Sequence, residues 1–246
     1  MFARVVSAIK EFGAGPAVIY LADRVLQRIS ASWHLRFYEL MVQPIPERPL
    51  LPGNLVKSLS FREIAAGDPE LELMPAPAGV RAARFAQGSV CLGMFRKGEW
   101  IGYSWFVFNR YAEDEARLDF VLDSPVDSVF DFDLYLFPEH RLGLGFAGLW
   151  HGVNEHLRAR GIRYTFSRLN RFNLASRRAH EHLGWRRIGR AFVLQLGSVE
   201  LIFTGLAPFI RLSLSPDSRM LLRLSPRALQ AEGGGSLPAA SAGPTA

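Results

Sequence analysis

Apolar and polar positions along the chain change period several times, and each change marks an element. Pro16 stands where a first-turn proline is favoured, and Val18, Leu21, Ala22, Val25, Leu26 and Ile29 then recur at helical spacing opposite Asp23, Arg24, Gln27 and Arg28. This predicts one amphipathic helix with its apolar stripe turned inward. A lipid surface would accept the same stripe, but the polar face is not strongly basic, which favours docking on the protein. Residues Trp33 to Gln43 read as a strand. Pro44, Pro46, Pro49 and Pro52, all within Pro44 to Gly53, then forbid any continuation of helix or sheet, and a boundary is placed there.

Beyond the boundary, strands are predicted at Leu59 to Ile64, Val90 to Arg96 and Trp100 to Asn109, the last two joined at Lys97-Gly98. An acidic loop, Glu113 to Glu115, precedes the clearest strand, Val129 to Phe137. Strict alternation there puts Asp131, Asp133 and Tyr135 on one side and Phe130, Phe132, Leu134 and Leu136 on the other. A glycine-bearing turn follows, then a helix from about Phe146 to Arg160 closed by Gly161. After a strand from Ile162 to Arg168 comes a short helix, Leu174 to Leu183, closed by Gly184. Two more strands reach about Leu214, and the Ala-, Gly-, Ser- and Pro-rich tail from Ala231 is expected to be disordered. The chain thus divides into an N-terminal extension (1–55), an α/β domain (56–215) and a largely disordered C-terminal tail (216–246).

Composition narrows the class without naming the chemistry. The 246 residues are 49% apolar and 21% charged, enough for one folded body with a real core. Cys91 is the single cysteine, so an internal disulfide and a cysteine-based zinc site are both excluded, no metal is expected, and a reducing cytoplasm is the default location. As a predicted strand residue it reads as buried rather than nucleophilic. Neither apolar run, Phe12 to Ala22 or Ala191 to Ile210, is long and uninterrupted enough for a transmembrane span. The formal charge is +6, and Arg outnumbers Lys heavily. Between Arg141 and Arg190 eleven Arg face two acids, Glu155 and Glu181, a surplus suited to phosphates. No aromatic-flanked basic module accompanies it, so nucleic acid is not an expected partner.

The chemical signal lies in the turn Phe137-Pro138-Glu139-His140-Arg141-Leu142-Gly143-Leu144-Gly145-Phe146-Ala147-Gly148. Glycines between a strand and a helix let backbone approach a ligand, and free N–H groups at the helix start favour a pyrophosphate. Gly143-x-Gly145-x-x-Gly148 also matches the dinucleotide fingerprint, which leaves an NADP-binding oxidoreductase open, with Arg168 or Arg171 near the ribose phosphate. The glycines serve equally well in plain helix-on-sheet packing.

Two linked motifs resemble the Gcn5-related N-acetyltransferase (GNAT) family. His140, Gly143 and Gly145 fall on its pyrophosphate loop, [Gln/Arg]-x-x-Gly-x-[Gly/Ala]. Asn173-x-x-Ser176-x-x-Ala179-His180-x-x-Leu183-Gly184-Trp185 is similar to its Asn-x-x-Ala-x-x-x-Tyr-x-x-x-Gly-Phe helix, one helix and one strand later. The resemblance runs from about Trp100 to Leu196, extends in outline from Val56, and leaves the first 55 residues outside. His140 replaces the usual Gln or Arg, and His180 stands where the family usually has the Tyr that protonates the departing thiolate.

The resemblance implies a GNAT-like α/β fold, a mixed, mostly antiparallel central sheet flanked by helices, here with an N-terminal helical extension. It also implies an acyl-CoA-dependent N-acyltransferase, with acetyl-CoA or another acyl-CoA as co-substrate and a small-molecule or peptide amine as acceptor. In that reading the backbone of Leu142, Gly143, Leu144, Gly145 and Phe146, with His140 and Arg141, holds the pyrophosphate. Leu136 and Phe137 pair with the pantetheine amides, and Asn173 contacts the cofactor arm. The attacking amine must lose a proton, for which Asp131 and Asp133 are candidates, and His180 is the candidate donor to the thiolate. Each has a structural reading as well. A catalytically silent CoA-binding protein remains the alternative, and a homodimer is left open.

Overall fold

The structure is a computed structural model that describes residues 2–227; the tail predicted to be disordered from Ala231 lies outside them. Two helices, α1 (Phe2–Phe12) and α2 (Ala14–Ile29), lead into β1 (Trp33–Pro44). A single turn, α3 (Gly53–Val56), follows the proline-rich stretch, and then β2 (Leu59–Ile64), α4 (Ala78–Ala86), β3 (Val90–Arg96) and β4 (Glu99–Val107). Two short strands that the sequence did not announce, β5 (Arg110–Ala112) and β6 (Leu118–Leu122), precede β7 (Ser128–Leu136). The chain continues through α5 (Gly145–Arg158), β8 (Tyr164–Asn170), α6 (Leu174–Glu181), β9 (Arg186–Leu196), β10 (Val199–Thr204), β11 (Ile210–Ser213) and β12 (Met220–Leu224).

Nine strands form one sheet in the order β11-β10-β9-β1-β8-β7-β4-β3-β2. Every neighbouring pair is antiparallel except β7 and β8. The mixed, mostly antiparallel sheet with flanking helices is therefore the one expected. On one face α5 packs Leu149, Trp150, Val153 and Leu157 against Leu92, Ile101, Phe106 and Val129. On the other face a three-stranded sheet, β12-β6-β5, presses Phe120, Leu222 and Leu224 onto Tyr38, Phe130 and Phe166. Stacked rings join these layers: Tyr111 lies 4.1 Å from Phe132, and Phe120 lies 4.7 Å from Phe130. Each such buried side chain contributes on the order of 2 kcal/mol.

Three expectations change. The boundary at residue 55 separates no independent unit, because β1 sits inside the sheet and bonds β8 on one side and β9 on the other. The segment counted as tail from 216 carries a strand: β12 runs parallel to β6, with Met220 donating to the Arg117 carbonyl at 2.7 Å. Helix α2 docks on β1, but with a different face than its apolar spacing predicts. Asp23 turns inward and accepts the Leu35 amide at 2.8 Å, while Val18, Val25 and Ile29 are 68%, 55% and 63% exposed. The hydrogen bond gives a partner to a strand amide at the edge that β8 has left.

A chain beginning at residue 56 will lack β1, and with it Tyr38, Leu40, Met41 and Val42 of the core. It is expected to show no cooperative thermal transition by circular dichroism, whereas the full chain melts as one unit.

Candidate functional site

The turn from β7 to α5 is built around backbone. Gly145 opens α5, and a Cβ there would collide with the carbonyl oxygen of His140, so only glycine closes the loop. Gly143 adopts φ +73°, a left-handed conformation that glycine takes without strain. Leu144, at the N-cap, offers no side-chain acceptor. Gly148 donates to the Leu144 carbonyl at 2.7 Å, and among the described residues none supplies an acceptor for the amides of residues 142 to 147. Leu142, 89% exposed, stands clear of the turn. Gly148, the third glycine of the dinucleotide pattern, instead faces Leu59 and Met94 across the helix–sheet contact. With a single parallel strand pair in the main sheet, the dinucleotide reading loses its structural setting.

Two side chains of the turn behave differently from expectation. Arg141 folds back, donating from Nε to the Leu136 carbonyl at 2.9 Å and lying 5.2 Å over the Tyr135 ring. Its charge is held at the end of β7, and the Leu136 carbonyl expected to meet the cofactor already has a donor. His140 places Nε2 3.5 Å from the Glu99 carboxylate on β4.

Below the turn the two parallel strands part. β7 and β8 pair only at Ser128 with Tyr164, Val129 with Thr165 and Phe130 with Phe166. β8 then follows β1 as far as Asn170, while β7 follows β4 to Leu136. From Asp131 to Leu136 the edge of β7 that faced β8 has no strand partner among the described residues, and a wedge opens toward the glycine turn. The fold is GNAT-like.

Comparison with protein-family models gives no match, and comparison with curated proteins gives none either. Solved structures do align. The chain is similar to a candidate GNAT-family acetyltransferase of Novosphingobium aromaticivorans, at 17% identity and TM-score 0.42, over 63% of this chain and 60% of that one. It is similar to a tandem GNAT protein of the clavulanic acid biosynthesis pathway, at 15% identity and TM-score 0.41, over 70% of this chain and 55% of that one. A candidate acetyltransferase of Salmonella typhimurium, solved with acetyl-CoA, aligns at 19% identity and TM-score 0.36, over 52% of this chain and 79% of that one.

Asp131 and Asp133 do not share a face. Asp133 adopts φ +49°, and the register of β7 against β4 slips there: Trp105 opposes Phe132 but Tyr103 opposes Tyr135. The bulge re-aims the side chains beyond it, so Phe130 and Phe132 join the aromatic layer under the small sheet while Leu134 and Leu136 join the α5 side. Asp133 turns to the aromatic layer and pairs with Arg84 of α4. Arg84 also binds Asp114 at 2.6 Å and lies 5.2 Å over the Phe132 ring. Asp133 is thus committed to an ion pair.

Asp131 is the first residue of β7 beyond the last β8 pair, at the apex of the wedge and on the α5 side. It is 5% exposed, and burial pushes its carboxyl up to about 7 against the opposing hydrogen bond from Thr165. Gln43 stands across from Thr165 in the β1–β8 ladder, and its amide, like that of Asn154 in α5, is buried without a partner among the described residues. Polar groups of this kind are ordinarily met by internal water.

His180 lies buried between α6 and α5. Its ring is 3% exposed, packed 5.6 Å from Phe146 and 5.4 Å from Trp150, and its Nδ1 lies 2.9 Å from the Ser176 carbonyl of its own helix. A carbonyl only accepts, so Nδ1 carries the proton. Burial lowers the imidazole below its usual value, which keeps it neutral. Asn173 caps α6, its Oδ1 accepting from the Ser176 amide at 3.1 Å.

Much of the expected arginine surface is consumed internally. Arg171, Arg177 and Arg187 surround the buried Glu39, Arg177 at 2.8 Å. Arg168 pairs with Glu113 and, at 3.1 Å, with Glu115. The acidic loop 113–115 therefore bonds both sides of the wedge, Asp114 through Arg84 on the β7 side and Glu113 and Glu115 through Arg168 on β8. Sequence reasoning missed Arg84 and Thr165 and gave Arg168 only to a ribose phosphate; for Thr165 and Arg168 the available signal was a hydroxyl and a cation placed within an otherwise apolar strand pattern.

The raised Asp131 carboxyl means that the folded state favours its protonated form, so its contribution is full below the usual 3.8 and fades as pH rises through 7. Asp131→Asn is expected to gain stability relative to wild type on going from pH 4 to pH 8, by on the order of 2–4 kcal/mol. Thermal denaturation at the two pH values measures it.

Proposed function

We propose that this protein is an acyl-CoA-dependent N-acyltransferase, using acetyl-CoA or a related thioester and a small-molecule or peptide amine. The observation that carries the reading is the wedge between β7 and β8, open at its wide end to the uncapped turn of α5. Amides at residues 142 to 147 suit a pyrophosphate, and the unpaired edge of β7 below them suits the amides of a pantetheine arm. Leu136 and Phe137, at the end of that edge, take the arm's first contacts once Arg141 lets go of the Leu136 carbonyl.

Chemistry then centres on the apex. The amine nitrogen attacks the thioester carbon, a C–N bond forms, the C–S bond breaks, and the amine proton passes to Asp131 directly or through water. A carboxyl near 7 is well matched to that task at neutral pH. The sulfur leaves as thiolate, with His180 outside the proton path. On the opposite face the two banks carry Asp114, Asp133, Glu113 and Glu115 against Arg84 and Arg168, an excess of carboxylate that attracts a protonated amine. The burial of His180 favours one rival, a silent CoA-binding protein.

Isothermal titration with acetyl-CoA is expected to show saturable binding that Gly145→Ala abolishes; no binding at millimolar ligand sinks the proposal. Free-thiol release across an amine panel is expected to rise as pH passes through 7. Asp131→Asn should lower kcat by about 100-fold or more with acetyl-CoA affinity unchanged, and His180→Phe should keep kcat within about threefold of wild type. Binding without turnover selects the silent reading.

A further inference from the structure

The helical layer stops short of one end of the main sheet. α5 covers the β2–β4 end, α6 reaches Glu39 through Arg177, and α2 lies on β1. Past β1 the same face continues over β9, β10 and β11, where Phe203, Ile210 and Leu212 are exposed. Cross-strand register makes that face two continuous apolar rows, Phe37–Phe192–Phe203–Ile210 and Leu35–Leu194–Leu201–Leu212, with Leu196 opposite Val199 beside them. The other side of these strands is filled: Val193 and Ile202 are fully buried, and Glu200 accepts the Arg117 amide at 2.8 Å. Leu196, Val199, Phe203, Ile210, Leu212 and Leu214 remain between 37% and 67% exposed.

We propose that this face is the interface of a two-fold dimer of this chain. Those six residues leave bare on the order of 600 Å², the upper end for the largest apolar patch of a typical monomer and approaching the ~800 Å² that each partner contributes to a stable interface. The outward positions of β9, β10 and β11 from Phe192 onward carry no charge; the first charged row, Glu39–Arg190, falls under α6. A charge-free patch meets its own copy without burying or opposing any ion, which is what a two-fold contact of identical surfaces requires. Lipid is a poorer occupant. β11 is an edge strand, and sinking Ile210 to Ser213 into hydrocarbon would strip water from its unpaired backbone groups, at several kcal/mol each. The segment from Ala228 to Ala246 is poorer still, since it offers two large apolar side chains, Leu229 and Leu237, among Ala, Gly, Ser and Pro.

Sedimentation velocity of the full chain at about 50 µM is expected to give twice the 27.5 kDa chain mass. Leu212→Glu and Phe203→Glu should each sediment as folded monomers, with circular dichroism unchanged, while Val126→Glu, on an exposed loop elsewhere, stays dimeric. Amide exchange of wild-type residues 199–214 should slow as concentration rises, a readout that needs no variant. A monomeric wild type, a dimer that survives both substitutions, or exchange independent of concentration overturns the proposal. So does flotation of a monomeric wild type with phosphatidylglycerol vesicles, lost in Leu212→Glu.

Discussion

Two parallel strands that separate after three residue pairs would strand the backbone of both, and the molecule is organised around relieving that cost. β7 keeps β4 on its outer side, but β8 has no neighbour there except β1, drawn from near the N-terminus. Seven register pairs, Tyr38–Asn170 through Pro44–Tyr164, hold β8 at its angle after it leaves β7. The opening is therefore a property of the whole sheet rather than of the glycine turn above it.

The same economy governs charge. A chain so rich in arginine invites a picture of a cationic surface, yet its guanidiniums serve buried carboxylates: Glu39 is 0% exposed among three of them, and Glu113 is raised by burial but held by Arg168. Planar, forked donors suit this work better than lysine ammonium groups. Because each pair links elements far apart in sequence, breaking one partner would leave an uncompensated buried ion, far costlier than loss of an exposed bridge. Asp131 is the exception among the buried carboxylates around the wedge: it has a hydroxyl for company and no cation, and its proton affinity rises accordingly.

Local elements were largely legible because they obey local rules. β2 and β3 fall at the predicted residues, and Gly161 and Gly184 take positive φ where helix closure predicted them. What escaped was decided at a distance. Nothing near Trp33 says that its strand inserts between β8 and β9, and β5, β6 and β12 are too short, and β12 too remote from β6, for periodicity to announce. Alternation misplaced Asp133 because one residue in a left-handed conformation shifts every side chain after it. The glycine turn was found correctly and its flanking charge was not, since Arg141 prefers a carbonyl and a ring that only the folded chain brings near it.

The pairing of β12 with β6 has an effect during synthesis. Leu222 and Leu224 of β12 complete the small sheet beside Phe120, so a ribosome must deliver the chain through Leu224 before that aromatic layer is sealed at its edge. Until then the nascent chain presents sticky rings to its surroundings, the condition under which chaperones engage and misassembly competes. Contacts of such long sequence separation slow maturation, and a product cut short before Met220 would emerge with its small sheet one strand narrower.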